Sequence, residues 1–91
     1  MLFVALAKSR PGTQREATAR RMQWQYPDGM RVVGEYWLQT SDPAVIIIAE
    51  GDSVVPIMAT IAQWDDVFDI TVIPAITAEE GLQLAKLMVQ S

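Results

Sequence analysis

The sequence contains no cysteine and no histidine. Those absences exclude disulfides, thiol nucleophiles and zinc sites of the usual nitrogen and sulfur type. They also exclude proximal-histidine haem ligation and remove the side chain whose ordinary pKa lies nearest neutrality. Any catalysis must use Asp, Glu, Tyr, Lys, Arg or a hydroxyl, with a pKa tuned by burial. No cofactor and no metal is expected. Basic residues are scarce too: seven against eleven acidic ones, for a net charge of −4. That argues against nucleic-acid binding, which relies on Lys and Arg to neutralise phosphates. It argues equally against a membrane-surface role. No segment approaches the roughly 18 apolar residues of a membrane span. The N-terminal "MLFVALAKSR" has no basic residue before its short apolar run and no small-residue cleavage site after it. No secretory leader is therefore expected, and the chain is expected to be cytoplasmic.

What is present suits one globular domain over residues 1–91. Hydrophobic residues make up 51% and charged residues 20%. The apolar share is high for so small a body, which points to a partner that covers the surplus. Five of the basic residues fall within 8–21: Lys8, Arg10, Arg15, Arg20 and Arg21. They read as a solvated helix face, with an anion-binding patch as the alternative.

Hydrophobic patterning divides the chain into seven elements. "LFVALAK" at 2–8 predicts a strand, and "SRPGT" breaks it. Thr13 and Glu16 fit a capping box for a helix over 13–25, with Ala17, Ala19, Met22 and Trp24 as its modest apolar face. "YPDG" ends that helix. "MRVVGEYWLQ" at 30–39 and "VIIIAE" at 45–50 predict two strands of a hairpin. Asp52 or Ser53 caps a second helix through "VVPIMATIAQW", with Pro56 in its first turn. Ile57, Ile61 and Trp64 form its buried stripe. "VFDITVIPAI" at 67–76 predicts a fourth strand, whose Pro74 restricts it to an edge or exit. Thr77 and Glu80 fit another capping box, opening a C-terminal helix with a wide apolar face from Leu82 to Val89. The order β-α-β-β-α-β, then α, predicts an α+β fold of the ferredoxin-like kind: a four-stranded antiparallel sheet with helices on one face.

"AVIIIAE" has no side for water, although a half-buried strand alternates apolar and polar residues. One face meets the chain's own helices. The other needs a cover, and the simplest is the sheet of a second copy, packed face to face about a two-fold axis.

Several stretches resemble the dimeric α/β-barrel superfamily: "MLF" into strand one, "RPG", "PDGMRVVGEYW", a hydrophobic strand ending "AEGD", and "WDDVFDITVIPAI". Within it the chain is similar to a small family known only as a domain of unknown function. The resemblance covers roughly residues 1–77 and rests on structural punctuation, so it implies fold more than activity. The superfamily includes isomerases, monooxygenases, haem enzymes, polyketide-tailoring enzymes and plain ligand binders. The missing histidine argues against the haem members, and fold alone does not choose among the rest.

Candidate site residues follow from alternation and strand ends. In strand four, Phe68, Ile70 and Val72 are expected to pack on the helices, leaving Val67, Asp69, Thr71 and Ile73 facing the partner sheet. Asp69 is either a wet strand-end carboxylate or an acid, base or ligand anchor. In strand two, Gly34 suggests a bulge or the close approach of another group. Glu35 and Trp37 point one way and Tyr36 the other, as pocket wall, core or dimer contact. Lys8 and Glu50 end neighbouring strands and are expected to form a cross-strand ion pair. Arg10 precedes the first helix, where it and the free N–H groups suit a phosphate or carboxylate. The expected protein is a homodimer that binds a small, largely apolar organic molecule, with cofactor-free isomerase or cyclase chemistry open to it. In that chemistry Asp69 or Glu35 would be the base and Tyr36 or Lys8 the charge-stabilising donor. A regulatory or structural ligand-sensing or assembly module without catalysis is the alternative, and a purely structural dimer with no pocket is a third reading.

Overall fold

The structure is a computed structural model that describes residues 1–90. The elements are β1 (Leu2–Ser9), α1 (Gln14–Arg21), β2 (Met30–Trp37), β3 (Val45–Gly51), α2 (Val55–Trp64), β4 (Phe68–Ala75) and α3 (Ala78–Gln90). The strands form one sheet in the order β2-β3-β1-β4, and every neighbouring pair is antiparallel. Each β-α-β unit is thus split by a strand of the other unit. This is the ferredoxin-like arrangement that the element order predicted.

Register sorts the side chains by face. Phe3, Ala5, Ala7 and Ser9 of β1 lie opposite Pro74, Val72, Ile70 and Phe68 of β4. These residues face α1 and α2, and Phe3, Ala7 and Ser9 are buried there. The expected helix-facing set Phe68, Ile70 and Val72 is therefore observed. Val67 differs from expectation. It precedes β4 and is 1% exposed, packed with Ala17 and Trp64 in the core. Pro74 sits in β4, an edge strand, where its missing N–H faces away from β1.

The helices start and stop differently from the sequence reading. Thr13 does not cap α1 with its side chain; its hydroxyl donates to the Arg10 carbonyl at 2.7 Å and the Val67 carbonyl at 3.2 Å. Helix α1 ends at Arg21, four residues before the expected end, and Met22 is exposed. The early stop lets Trp24 turn back onto Trp64, with ring centroids 5.4 Å apart. At α2, Val54 is the cap residue, and Ser53 Oγ accepts from the Val55 N–H at 3.3 Å. The Thr77–Glu80 pair behaves as expected: the Glu80 N–H donates to Thr77 Oγ1 at 3.1 Å.

The opposite sheet face carries Leu2, Val4 and Leu6 of β1, Ile46 and Ile48 of β3, and Thr71 and Ile73 of β4, and α3, the helix left to cover it, is exposed at every residue but the half-buried Gly81. Helix α3 buries none of its residues. Leu82, Leu84, Leu87 and Val89 are all at least half exposed. The radius of gyration, 15.4 Å, exceeds the roughly 12 Å of a compact chain of this length. No helix among the described residues is long and apolar enough to cross a membrane.

Candidate functional site

A cavity of about 100 Å³ lies between the helices and the sheet. Its floor is Ala7, Val45, Ile47 and Ile70, and its walls include all three tryptophans: Trp24, Trp37 and Trp64. Trp37, 58% exposed, stands at its rim. A second cavity of about 40 Å³ adjoins it, sharing Ala7, Tyr26, Ile47, Thr60 and Ile70. Edge-to-face contacts hold the aromatic wall together, Trp24 with Tyr26 at 4.7 Å and Trp24 with Trp64 at 5.4 Å.

One polar cluster interrupts these walls. Glu35 accepts from Arg21 Nη2 at 2.9 Å, from Arg21 Nε at 3.1 Å, from Trp37 Nε1 at 2.7 Å and from the Tyr26 hydroxyl. Four donors fill the roughly four lone-pair sites of one carboxylate. Burial alone pushes the Glu35 carboxyl up. The bonds from Arg21, Tyr26 and Trp37, with the Arg21 charge, outweigh that and hold it down at about 2. The same bond holds the Arg21 guanidinium above its ordinary value. Burial, then the bond to Glu35, pushes the Tyr26 phenol well above its ordinary value, so it stays protonated. Arg21 Nη1 also donates to the Trp24 carbonyl at 3.1 Å.

A bulge aims Glu35 into this site. In β2, Val32 lies opposite Ala49, but Gly34 lies opposite Ile48, so one extra residue is inserted between them. The insertion reverses the alternation. Val32 faces the helices, and after the bulge so do Glu35 and Trp37, while Tyr36 turns to the other face. Tyr36 folds back over Gly34: a Cβ there would sit 2.7 Å from the Tyr36 hydroxyl oxygen, so a side chain at this position would move the ring outward.

The six sequence candidates do not form one site. Glu35 and Trp37 line the cavity. Tyr36, Lys8 and Asp69 belong to the bare face, where Lys8 and Asp69 stand opposite each other in register. Arg10 is elsewhere, with its Nε donating to the Asp65 carbonyl at 2.9 Å. The expected Lys8–Glu50 ion pair does not form. β1 and β3 are neighbours, but antiparallel pairing sets Glu50 opposite Leu2, six residues from Lys8 along the strand. Glu50 pairs instead with Arg31.

Sequence reasoning missed Arg21, Trp24, Tyr26 and Thr60. Arg20 and Arg21 read as a solvated face, yet both are ion-paired. Arg20 grips Asp66 at 2.8 and 2.9 Å and Glu16 at 3.0 Å, while Arg21 takes Glu35. The missed signal was Glu35 itself: a carboxylate between apolar strand residues needs a cation, and Arg21 lies at the end of the packing helix. Among the described residues no cluster of Asp or Glu suits a metal ion.

A split β-α-β sheet with helices on one face, enclosing an aromatic cavity, defines a ferredoxin-like α+β domain. Residues 1–89 match the family described as a domain of unknown function, DUF3303, and the chain belongs to that family. No curated protein matches the chain. No solved structure matches it either.

Proposed function

We propose that the chain works as a homodimer that binds a small, largely apolar organic molecule in the cavity beside Glu35. The observation that carries this reading is a sheet apolar on both faces, with helices on one face only. On the helix side the packing leaves an aromatic-walled space, the usual form of a small-molecule site. Glu35 favours binding over proton transfer, because a carboxyl held at about 2 is a poor base near neutrality.

Three features support a second copy on the bare face. The accessible surface is 6549 Å², against about 5,300 Å² for a folded monomer of this mass. The surplus exceeds the roughly 800 Å² that each partner buries in a standard interface. Helix α3 has 13 residues and no buried side chain, and such a helix is marginal in water unless its apolar face docks. Charge is also self-complementary. Arg31 and Glu50 occupy one corner of the bare face, and Lys8 and Asp69 the diagonally opposite one. Two sheets crossed near a right angle about a diagonal axis set charged corner on charged corner and apolar centre on apolar centre.

The test of ligand binding is quenching of tryptophan fluorescence by a neutral apolar probe. Saturation at one probe per chain is expected. Quenching that rises linearly without saturation would refute the site.

A further inference from the structure

We infer that the cavity selects an uncharged molecule, with a buried part no larger than a single six-membered ring, over anions and cations of the same shape. This rests on the binding reading above and adds the class of ligand. Size comes first. The two adjoining cavities together offer about 140 Å³. A dry apolar cavity of about 150 Å³ is known to hold benzene. Anything larger must leave past Trp37, at the exposed rim.

Charge decides the rest. Arg21 and Glu35 are the only charged residues that line either cavity among the described residues. They are spent on each other, and the remaining carboxylate sites are taken by Tyr26 and Trp37. Arg21 is further committed to the Trp24 carbonyl and lies 5.2 Å from the Tyr26 ring centre. An entering anion meets a guanidinium already neutralised. An entering cation meets a carboxylate with its lone pairs filled. Either ion would lose its hydration against apolar walls with no counter-charge to replace it. A neutral ring loses little hydration and gains the aromatic wall.

The experiment is fluorine NMR of the full chain at neutral pH with three probes of one shape: fluorobenzene, para-fluorobenzoate and para-fluorobenzylammonium. Fluorobenzene is expected to bind saturably, with each ion at least about tenfold weaker. An ion that binds as tightly as fluorobenzene overturns the selectivity while leaving the binding reading in place. Failure of all three probes removes the binding reading itself. The Glu35→Gln variant locates the effect, since it frees the Arg21 charge without changing side-chain shape. It is expected to gain para-fluorobenzoate affinity by about tenfold relative to fluorobenzene. Circular dichroism checks that it folds, and an unchanged preference in the folded variant overturns the assignment to this pair.

Discussion

Arg21 Nη2 stands 2.9 Å from Glu35 Oε1, tying the last turn of α1 to the half of β2 beyond its bulge. Both partners are mostly shielded from solvent, so the pair fixes how the first helix sits on the sheet and closes one side of the cavity. Four consequences can be measured.

Replacing Arg21 with Met keeps the aliphatic packing but leaves a shielded carboxylate without its cation. The expected loss is about 2 kcal/mol, as for charged hydrogen bonds broken on one side only. Replacing Glu35 with Gln in the same chain should recover part of that loss. A double-mutant cycle by urea denaturation measures the coupling, and additive losses would count against the pair.

Acid should weaken the protein through Glu35. Its carboxyl lies near 2 in the fold against an ordinary value of 4.5. A lowered folded pKa means that this contribution is full above about 4.5 and is lost as pH falls toward 2. Asp66, also held below its ordinary value by Arg20, adds loss in acid. Urea midpoints from neutral pH down to 2 should fall less steeply for Glu35→Gln than for the wild type. Parallel curves would mean that Glu35 is not held down.

Gly34→Ala tests the fold-back of Tyr36. The added Cβ meets the far end of an exposed ring, which is free to swing outward. The expected stability change is below about 1 kcal/mol, with a shift in the Tyr36 ring resonances by NMR. A large loss would mean that the ring is held against the bare face by something firmer.

The bare face should carry association and not folding. Ile48→Asp places a charge at its centre, away from the helices. The apparent dimer dissociation constant should rise at least about a hundredfold while the circular dichroism spectrum persists. Leu84→Asp with Leu87→Asp, one turn apart on α3, should weaken association without weakening the monomer, since α3 buries nothing at home.

The fold was legible because its punctuation is strong. "RPGT" and "YPDG" bound α1, and the structure puts their glycines, Gly12 and Gly29, at positive φ. Pro74 marked an edge strand, and the alternation of Phe68, Ile70 and Val72 gave the correct inner face of β4. Gly34 left a bulge or a close approach open, and the bulge falls between Val32 and Gly34. The site was half legible. Alternation placed Glu35 with Trp37, but which face they shared depended on the single inserted residue, and a periodic reading does not say on which side the parity changes. Arg21 was hidden among neighbouring charges, and α1 ended before the residues assumed to continue it. The Lys8–Glu50 pairing failed on direction: two strands known to be neighbours still pair end to opposite end.

The most direct test of the account is the solution mass of the chain by light scattering over a dilution series. The chain mass is 10.1 kDa. About twice that mass is expected, held on dilution into the low micromolar range, because among the described residues one face of the sheet and the leucines of α3 are left exposed. A constant monomer mass at every concentration would contradict it, and the homodimer would have to be abandoned.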